Sequence, residues 1–228
     1  MRILHTNLRR SRRAQDLPYQ TIRESTVAPA VVAEPYRALD VPAGDAKEMG
    51  VITWTSTSGA FAHGVPLERG NGYVAVEWAG MVLVGLYVSP STVWAAFEEF
   101  LDGVGDCVRR HLSRQMLVLG DFNAHSMERG NSRTNERPRE LSDWAAGLGL
   151  LLVNRGSTST CVAWRRGSVV DITWASPDTF RRISGWRVSE GVETLLDHLY
   201  IFVEVKGTPE PGTVTASNGR ELPRRGCA

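Results

Sequence analysis

Short apolar runs broken by brief polar stretches extend along most of this chain, and most of the runs have the length of strands. Residues 3–8, 29–33, 51–54, 73–78, 81–88, 116–119, 150–153, 160–164, 169–174 and 200–205 are expected to be extended. Ala79-Gly80 joins two of these runs as a hairpin turn. Helical spacing appears in three places. Ser11 to Ser25 carries Ala14, Leu17 and Ile22 on one side, with Pro18 weakening or kinking it. Thr92 to Leu112 sets Phe97, Phe100, Leu101, Val104 and Val108 on one face. A third helix is expected from about Arg139 to Leu148. Many strands and few helices predict an α/β (α+β) fold, a four-layer sandwich of two packed mixed sheets flanked by helices. Residues 1–205 read as one domain, and 206–228, rich in Pro, Gly, Thr and Arg, as a disordered tail. No internal repeat is visible.

Composition narrows the function classes. The 228 residues are 42% hydrophobic and 22% charged, ordinary for a globular chain, and a net charge of +1 does not describe a static polyanion binder. Of the 26 basic residues only Lys47 and Lys206 are lysines; arginine suits bidentate phosphate contacts. Cys107, Cys161 and Cys227 are odd in number and form no C-x-x-C, which fits a reduced, intracellular setting and neither a disulfide framework nor a zinc site. No signal peptide or membrane-spanning run is read.

The chemistry concentrates where strands end. Met116-Leu117-Val118-Leu119 runs into Gly120-Asp121-Phe122-Asn123-Ala124-His125. Along an extended segment Asp121 and Asn123 point the same way, placing an acceptor-only carboxylate beside an amide at the mouth of a buried sheet. Taken alone, D-x-N is an Asx-rich turn closing a strand; the apolar lead-in and the rest of the chain favour a site. Asn7, Glu34, Asp171 and Asp197 also stand at strand ends. Asp171 interrupts Val169-Val170-Asp171-Ile172-Thr173-Trp174, where an ionised carboxylate needs a partner, and His198 beside Asp197 is the best candidate. His5, His63 and His111 read as structural or exposed, and His125 as a turn residue or a substrate contact. Trp54, Trp78, Trp144, Trp164 and Trp174 sit in apolar patterns and read as core. Arg9, Arg10, Arg12 and Arg13 form either a solvated helix face or phosphate contacts.

Asn7, Glu34-Pro35-Tyr36, Tyr87-Val88-Ser89-Pro90, the Gly120–His125 segment, Asp171 and Asp197-His198, in this order, resemble the endonuclease/exonuclease/phosphatase superfamily over residues 3 to about 205. Residues 7–11, 154–161 and 169–176 look like the apurinic-type endonuclease domain of insect non-LTR retrotransposons. The resemblance implies a DNase I-like fold and a Mg²⁺-dependent (or Mn²⁺-dependent) phosphodiesterase that nicks double-stranded DNA in the nucleus, beside a reverse transcriptase in one polyprotein. By the same resemblance Glu34 holds the metal, with Asn7 beside it and Asp197 at the ion or behind it. Asp121 orients or deprotonates water, Asn123 and Tyr87 donate to the phosphate, and His198, held by Asp171, stabilises the oxyanion.

Two other functions compete. A lipid or inositol-phosphate phosphodiesterase would use the same chemistry, but the segments around Asn154 and Asp171 argue against it. An inactive relic with weak DNA binding is suggested by departures from the family pattern: Leu196 where serine is common before Asp-His, His5 where Gln is frequent, Asn135-Glu136-Arg137-Pro138 in place of Asp-x-Arg-Gly, and a 126–132 loop without tryptophan. Near-neutral charge speaks against binding without catalysis. Leucine at 196 can neither donate nor accept where the serine hydroxyl would, so restoring serine is expected to speed nicking by up to the scale of one transition-state donor, about 2.7–4 kcal/mol.

Overall fold

The computed structural model describes residues 1–25, 27–37, 43–47, 49–54, 64–124, 136–156, 158–163 and 166–207. In chain order the elements are β1 (Arg2–Asn7), α1 (Asp16–Glu24), β2 (Ala30–Ala33), β3 (Ala43–Gly44), β4 (Gly50–Thr53), β5 (Val65–Gly70), β6 (Tyr73–Trp78), β7 (Met81–Tyr87), α2 (Trp94–Arg110) and β8 (Met116–Asp121). Then follow α3 (Arg137–Gly147), β9 (Leu151–Leu152), β10 (Cys161–Ala163), β11 (Arg166–Ser168), β12 (Asp171–Ala175), α4 (Pro177–Arg182), β13 (Ile183–Ser189) and β14 (Tyr200–Val205).

The strands make two mixed six-stranded sheets, ordered β13-β14-β1-β2-β4-β3 and β5-β6-β7-β8-β12-β9, with β10 and β11 as a separate ribbon. Alternation along each strand explains how they stack. In β6, Val74 and Val76 point toward the other sheet and join Ile3, Val31, Ile52, Leu117 and Leu119 in a central core. Their neighbours Tyr73 and Ala75 point outward, into a second core with Phe97, Leu101 and Val104 of α2 and Leu141 of α3. On the far side, Leu4, Ala30 and Val32 pack with Ile22 of α1. Three apolar layers between four structural layers require strands that are apolar on both faces, hence the continuous runs in the sequence.

The hairpin expected at Ala79-Gly80 forms between β6 and β7; both residues have positive φ, +49° and +77°, as a type I′ turn requires. The α2 face is the predicted one, with Gly105 and Cys107 added. Helix α1 starts later than its spacing suggested, because Arg9 and Arg10 take left-handed φ and residues 12–15 form turns. Pro18 then falls in the first helical turn, where a missing N–H breaks no bond. Trp78 and Trp174 are buried, and Trp54 and Trp144 pack against the cores. His63, Trp164, His125 and the tail beyond Gly207 lie outside the described residues.

Candidate active site

Register brings the polar strand ends together. Tyr87, at the end of β7, pairs with Asp121 at the end of parallel β8, and Asp121 pairs in turn with Asp171 at the start of antiparallel β12. In the other sheet Asn7 ends β1 opposite Ala33 of β2, so Glu34 follows directly beside it. His198 stands just before β14, the other neighbour of β1. The two sheets thus present their polar ends to one another across the central core. Gly120 permits the close spacing: a Cβ there would lie 2.1 Å from the Leu86 carbonyl oxygen.

Hydrogen bonds join the sheets. The Asn7 amide donates to Glu34 Oε2 at 3.1 Å and to Asp121 Oδ2 at 2.8 Å, while its own oxygen accepts the Arg9 N–H at 2.7 Å. His198 Nδ1 donates to Asp171 Oδ2 at 3.0 Å, and its Nε2 lies 3.9 Å from Asp121 Oδ2. The Thr160 hydroxyl accepts from the backbone of Val170 and Asp171, both at 3.1 Å. Asn154 binds the Asp171 carbonyl and the Thr173 N–H at 3.0 and 2.8 Å. Segment 197–199 is held by Val162 N–H on the Asp197 carbonyl and Leu199 N–H on the Thr160 carbonyl. The acid and its histidine are therefore fixed by backbone pairing as well as by their mutual bond.

The environment pushes the two aspartates apart. Burial, followed by the charge of Asp171, raises the Asp121 pKa to about 7, against the opposing pull of His198 and the Asn7 and Asn123 N–H groups. Burial also works against an ionised Asp171, but the His198 charge and hydrogen bond outweigh it and hold that carboxyl below its ordinary range. Burial would strip the proton from His198; Asp171 overrides this and lifts the pKa to about 11. The result is a stable aspartate–imidazolium pair beside a carboxyl poised to exchange a proton near neutrality, the division of labour expected of an acid–base site. Tyr87 stays protonated: burial, then the charge of Glu34, raises its pKa, and the phenol remains a donor. Asp121, Asp171 and His198 each bring a ligand atom within 4.8 Å of the others.

Some neighbours were not evident in the sequence. Asn123 has φ +46°, so strand alternation does not carry past Asp121; the two residues meet through an Asx turn, with Asn123 N–H on Asp121 Oδ1 at 2.9 Å. One N–H of the Asn123 amide goes to the Val88 carbonyl at 3.0 Å, and the group carries a second. His5 is fully buried, with Nε2 3.7 Å from Asp171 Oδ1, because β1 turns residues 5 and 7 to the same face. Burial lowers its pKa, leaving it neutral next to the charged pair. Thr160 and Asn154 support the site through backbone bonds that no local pattern announces. Arg137 lies 4.8 Å from the Phe97 ring and donates to the Thr92 carbonyl, a structural anchor at the start of α3.

Leu196 does not line the pocket. It packs against the core under α1, while Asp197 next to it faces Arg9. Leu196→Ser is accordingly expected to leave nicking within about threefold of the parent and to cost about 1–2 kcal/mol of stability through lost packing. Parallel urea denaturation and nicking assays on this variant check both; a tenfold faster enzyme would restore the hydroxyl to the reaction.

Residues 81–202, more than half of the chain, match the family model described as endonuclease-reverse transcriptase, and the chain belongs to that family. Among solved structures it is similar to the endonuclease domain of TRAS1, a telomere-specific non-LTR retrotransposon, with a TM-score of 0.73 and 24% identity over 90% of this chain and 97% of that one. It is also similar to an AP endonuclease from Archaeoglobus fulgidus (TM-score 0.66, 13% identity, 90% and 99% covered). A third is the 3'-5' exonuclease NExo from Neisseria meningitidis (0.64, 15%, 90% and 100%). At these identities the likenesses establish the DNase I-like nuclease fold. No curated protein sequence matches. No helix among the described residues is long and apolar enough to cross a membrane.

Proposed function

We propose that this chain is a divalent-cation-dependent endonuclease that nicks double-stranded DNA in the nucleus for a non-LTR retrotransposon whose polyprotein also carries a reverse transcriptase. The observation that carries the reading is the hydrogen-bonded chain Glu34–Asn7–Asp121, set against the Asp171–His198 pair at the meeting edge of both sheets. Its completeness supports an active site over a relic.

A phosphodiester resists attack through its own charge, so cleavage needs an activated water and positive charge where the oxyanion grows. Asp121 is the group to take a proton from water, and the Asn7 N–H steadies its ionised form. His198, kept protonated by Asp171, faces the pocket with Nε2 as the oxyanion donor. Tyr87 and the second N–H of Asn123 donate to phosphate oxygens.

The donors fit a hard divalent ion: Glu34 and Asp121 offer carboxylate oxygens, the ligands Mg²⁺ and Mn²⁺ prefer. Glu34 would hold the ion. The Asn7 amide nitrogen, turned to the Glu34 carboxylate, orients that ligand. Bound there, the ion would supply Lewis-acid charge to the phosphate.

Substrate class is tested by offering the protein duplex DNA and an inositol-phosphate diester in parallel with Mg²⁺. Cleavage of DNA alone is expected; hydrolysis of the inositol ester at a comparable rate would move the protein to another branch of the chemistry. The pH profile tests the base. Nicking is expected to rise with pH as Asp121 ionises, with its acid limb at or somewhat below pH 7, since a nearby cation favours the charged form. Asn7→Ala removes an N–H that favours the carboxylate and should move the limb upward. A limb below about pH 5, unmoved by Asn7→Ala, would exclude Asp121 as the base.

A further inference from the structure

Arg9 is tied by its backbone to the centre of the site. Its N–H donates to Asn7 Oδ1 at 2.7 Å, and the N–H of Arg10 donates to the Glu34 carbonyl at 2.8 Å. Both arginines hold left-handed φ, +44° and +53°, a conformation that side chains other than glycine adopt at a cost. The turn they form brings the Arg9 guanidinium onto Asp197 Oδ2, across 188 positions of sequence. Asp197 immediately precedes His198, whose ring faces the other way into the pocket beside Asp121.

We propose that Arg9 is a phosphate-binding cation of the site, held at its mouth by Asp197, and that Asp197 serves this guanidinium and not the divalent ion. The inference rests on the nuclease reading and departs from the expectation that Asp197 belongs to the metal. A carboxylate already carrying a guanidinium has lost the net charge that attracts a divalent ion, and an ion on its oxygens would lie against a fixed cation. Guanidinium has five N–H donors in a planar fork, and one nitrogen suffices for Asp197. With the Arg9 side chain 55% exposed, the remaining donors face solvent, where a DNA phosphate can take two at once. A bare surface ion pair would add little, but here the pair has a backbone anchor in Asn7 and a neighbour in His198.

The test separates metal from DNA. Mn²⁺ binding, read from the EPR signal of the free ion, is measured on the parent, Glu34→Gln, Asp197→Asn and Arg9→Ala. Affinity for a labelled DNA duplex is measured by anisotropy in EDTA over a range of salt on the parent, Arg9→Ala and Arg9→Lys. Glu34→Gln should weaken Mn²⁺ binding tenfold or more, whereas Asp197→Asn should leave it within twofold and Arg9→Ala should not weaken it. Arg9→Ala should lower duplex affinity severalfold and reduce the salt slope by about 0.9, the loss of one phosphate contact. Arg9→Lys should keep the slope. Loss of Mn²⁺ in Asp197→Asn equal to that in Glu34→Gln would overturn the proposal, as would an unchanged slope in Arg9→Ala. If Glu34→Gln binds Mn²⁺ normally, the metal assignment of the proposed function fails, and the salt slope still decides the role of Arg9.

Discussion

His198→Ala is expected to lower DNA nicking by roughly a hundred- to a thousandfold, the effect of removing one oxyanion donor. It should also destabilise the protein by about 3–5 kcal/mol, because Asp171 would be left ionised and unpaired with 1% of its surface exposed. The sign at each pH follows from the pair. His198 has its pKa raised, so its stabilisation is complete below the unfolded value near 6.5 and is lost as pH climbs toward about 11. Asp171 has its pKa lowered, so its share is present above the unfolded value near 3.9 and is lost on further acidification. The destabilisation by His198→Ala should therefore be largest between about pH 4 and 6.5. Adding Asp171→Asn removes the stranded charge and should recover much of the stability without recovering nicking. Urea denaturation of the two single variants and the double variant, beside nicking rates, separates the roles. A double variant that nicks like the parent would show that the pair serves only the fold.

Glu34→Gln is expected to suppress nicking by roughly a thousandfold or more while leaving the fold intact. Glutamine keeps the length of the side chain and can still accept the Asn7 N–H through its amide oxygen, so the chain of contacts that positions residue 34 survives. What disappears is the anionic oxygen that a hard cation requires. The variant in Mg²⁺ should behave like the parent in EDTA. A Glu34→Gln protein at full activity would remove this carboxylate from the mechanism.

The parts legible in the sequence were those dictated by burial on both faces. Met81–Tyr87 and Met116–Asp121 lie in the middle of a sheet between two cores, and their apolar runs could be little else. The polar residues closing such runs, Tyr87 and Asp121, were conspicuous for the same reason. The edge strands β5 and β13 were not. Val65–Gly70 is half exposed, contains Pro66 and a bulge, and has no clean period; Ile183–Ser189 alternates weakly around Gly185. Helix α4 carried a readable start in Ser176-Pro177-Asp178, which the strand-heavy pattern obscured.

Within the site, residue type at a strand end was visible, but the partner and the direction often were not. Nothing local joins Arg9 to Asp197 or turns His5 toward Asp171; both follow from β1 lying between β2 and β14. The turn at Asn123 depends on a left-handed residue that extended alternation does not foresee. Leu196 looked like a change in the pocket because it adjoins Asp197, yet it sits in a bend after left-handed Leu195 and packs against the core under α1.

The most direct test of an active nuclease is the conversion of supercoiled plasmid to open circles by the parent and by Asp121→Asn, each in Mg²⁺ and in EDTA. The site described here predicts nicked circles from the parent in Mg²⁺ alone. Parent protein that leaves the plasmid supercoiled in Mg²⁺, or Asp121→Asn that nicks as fast as the parent, would contradict it.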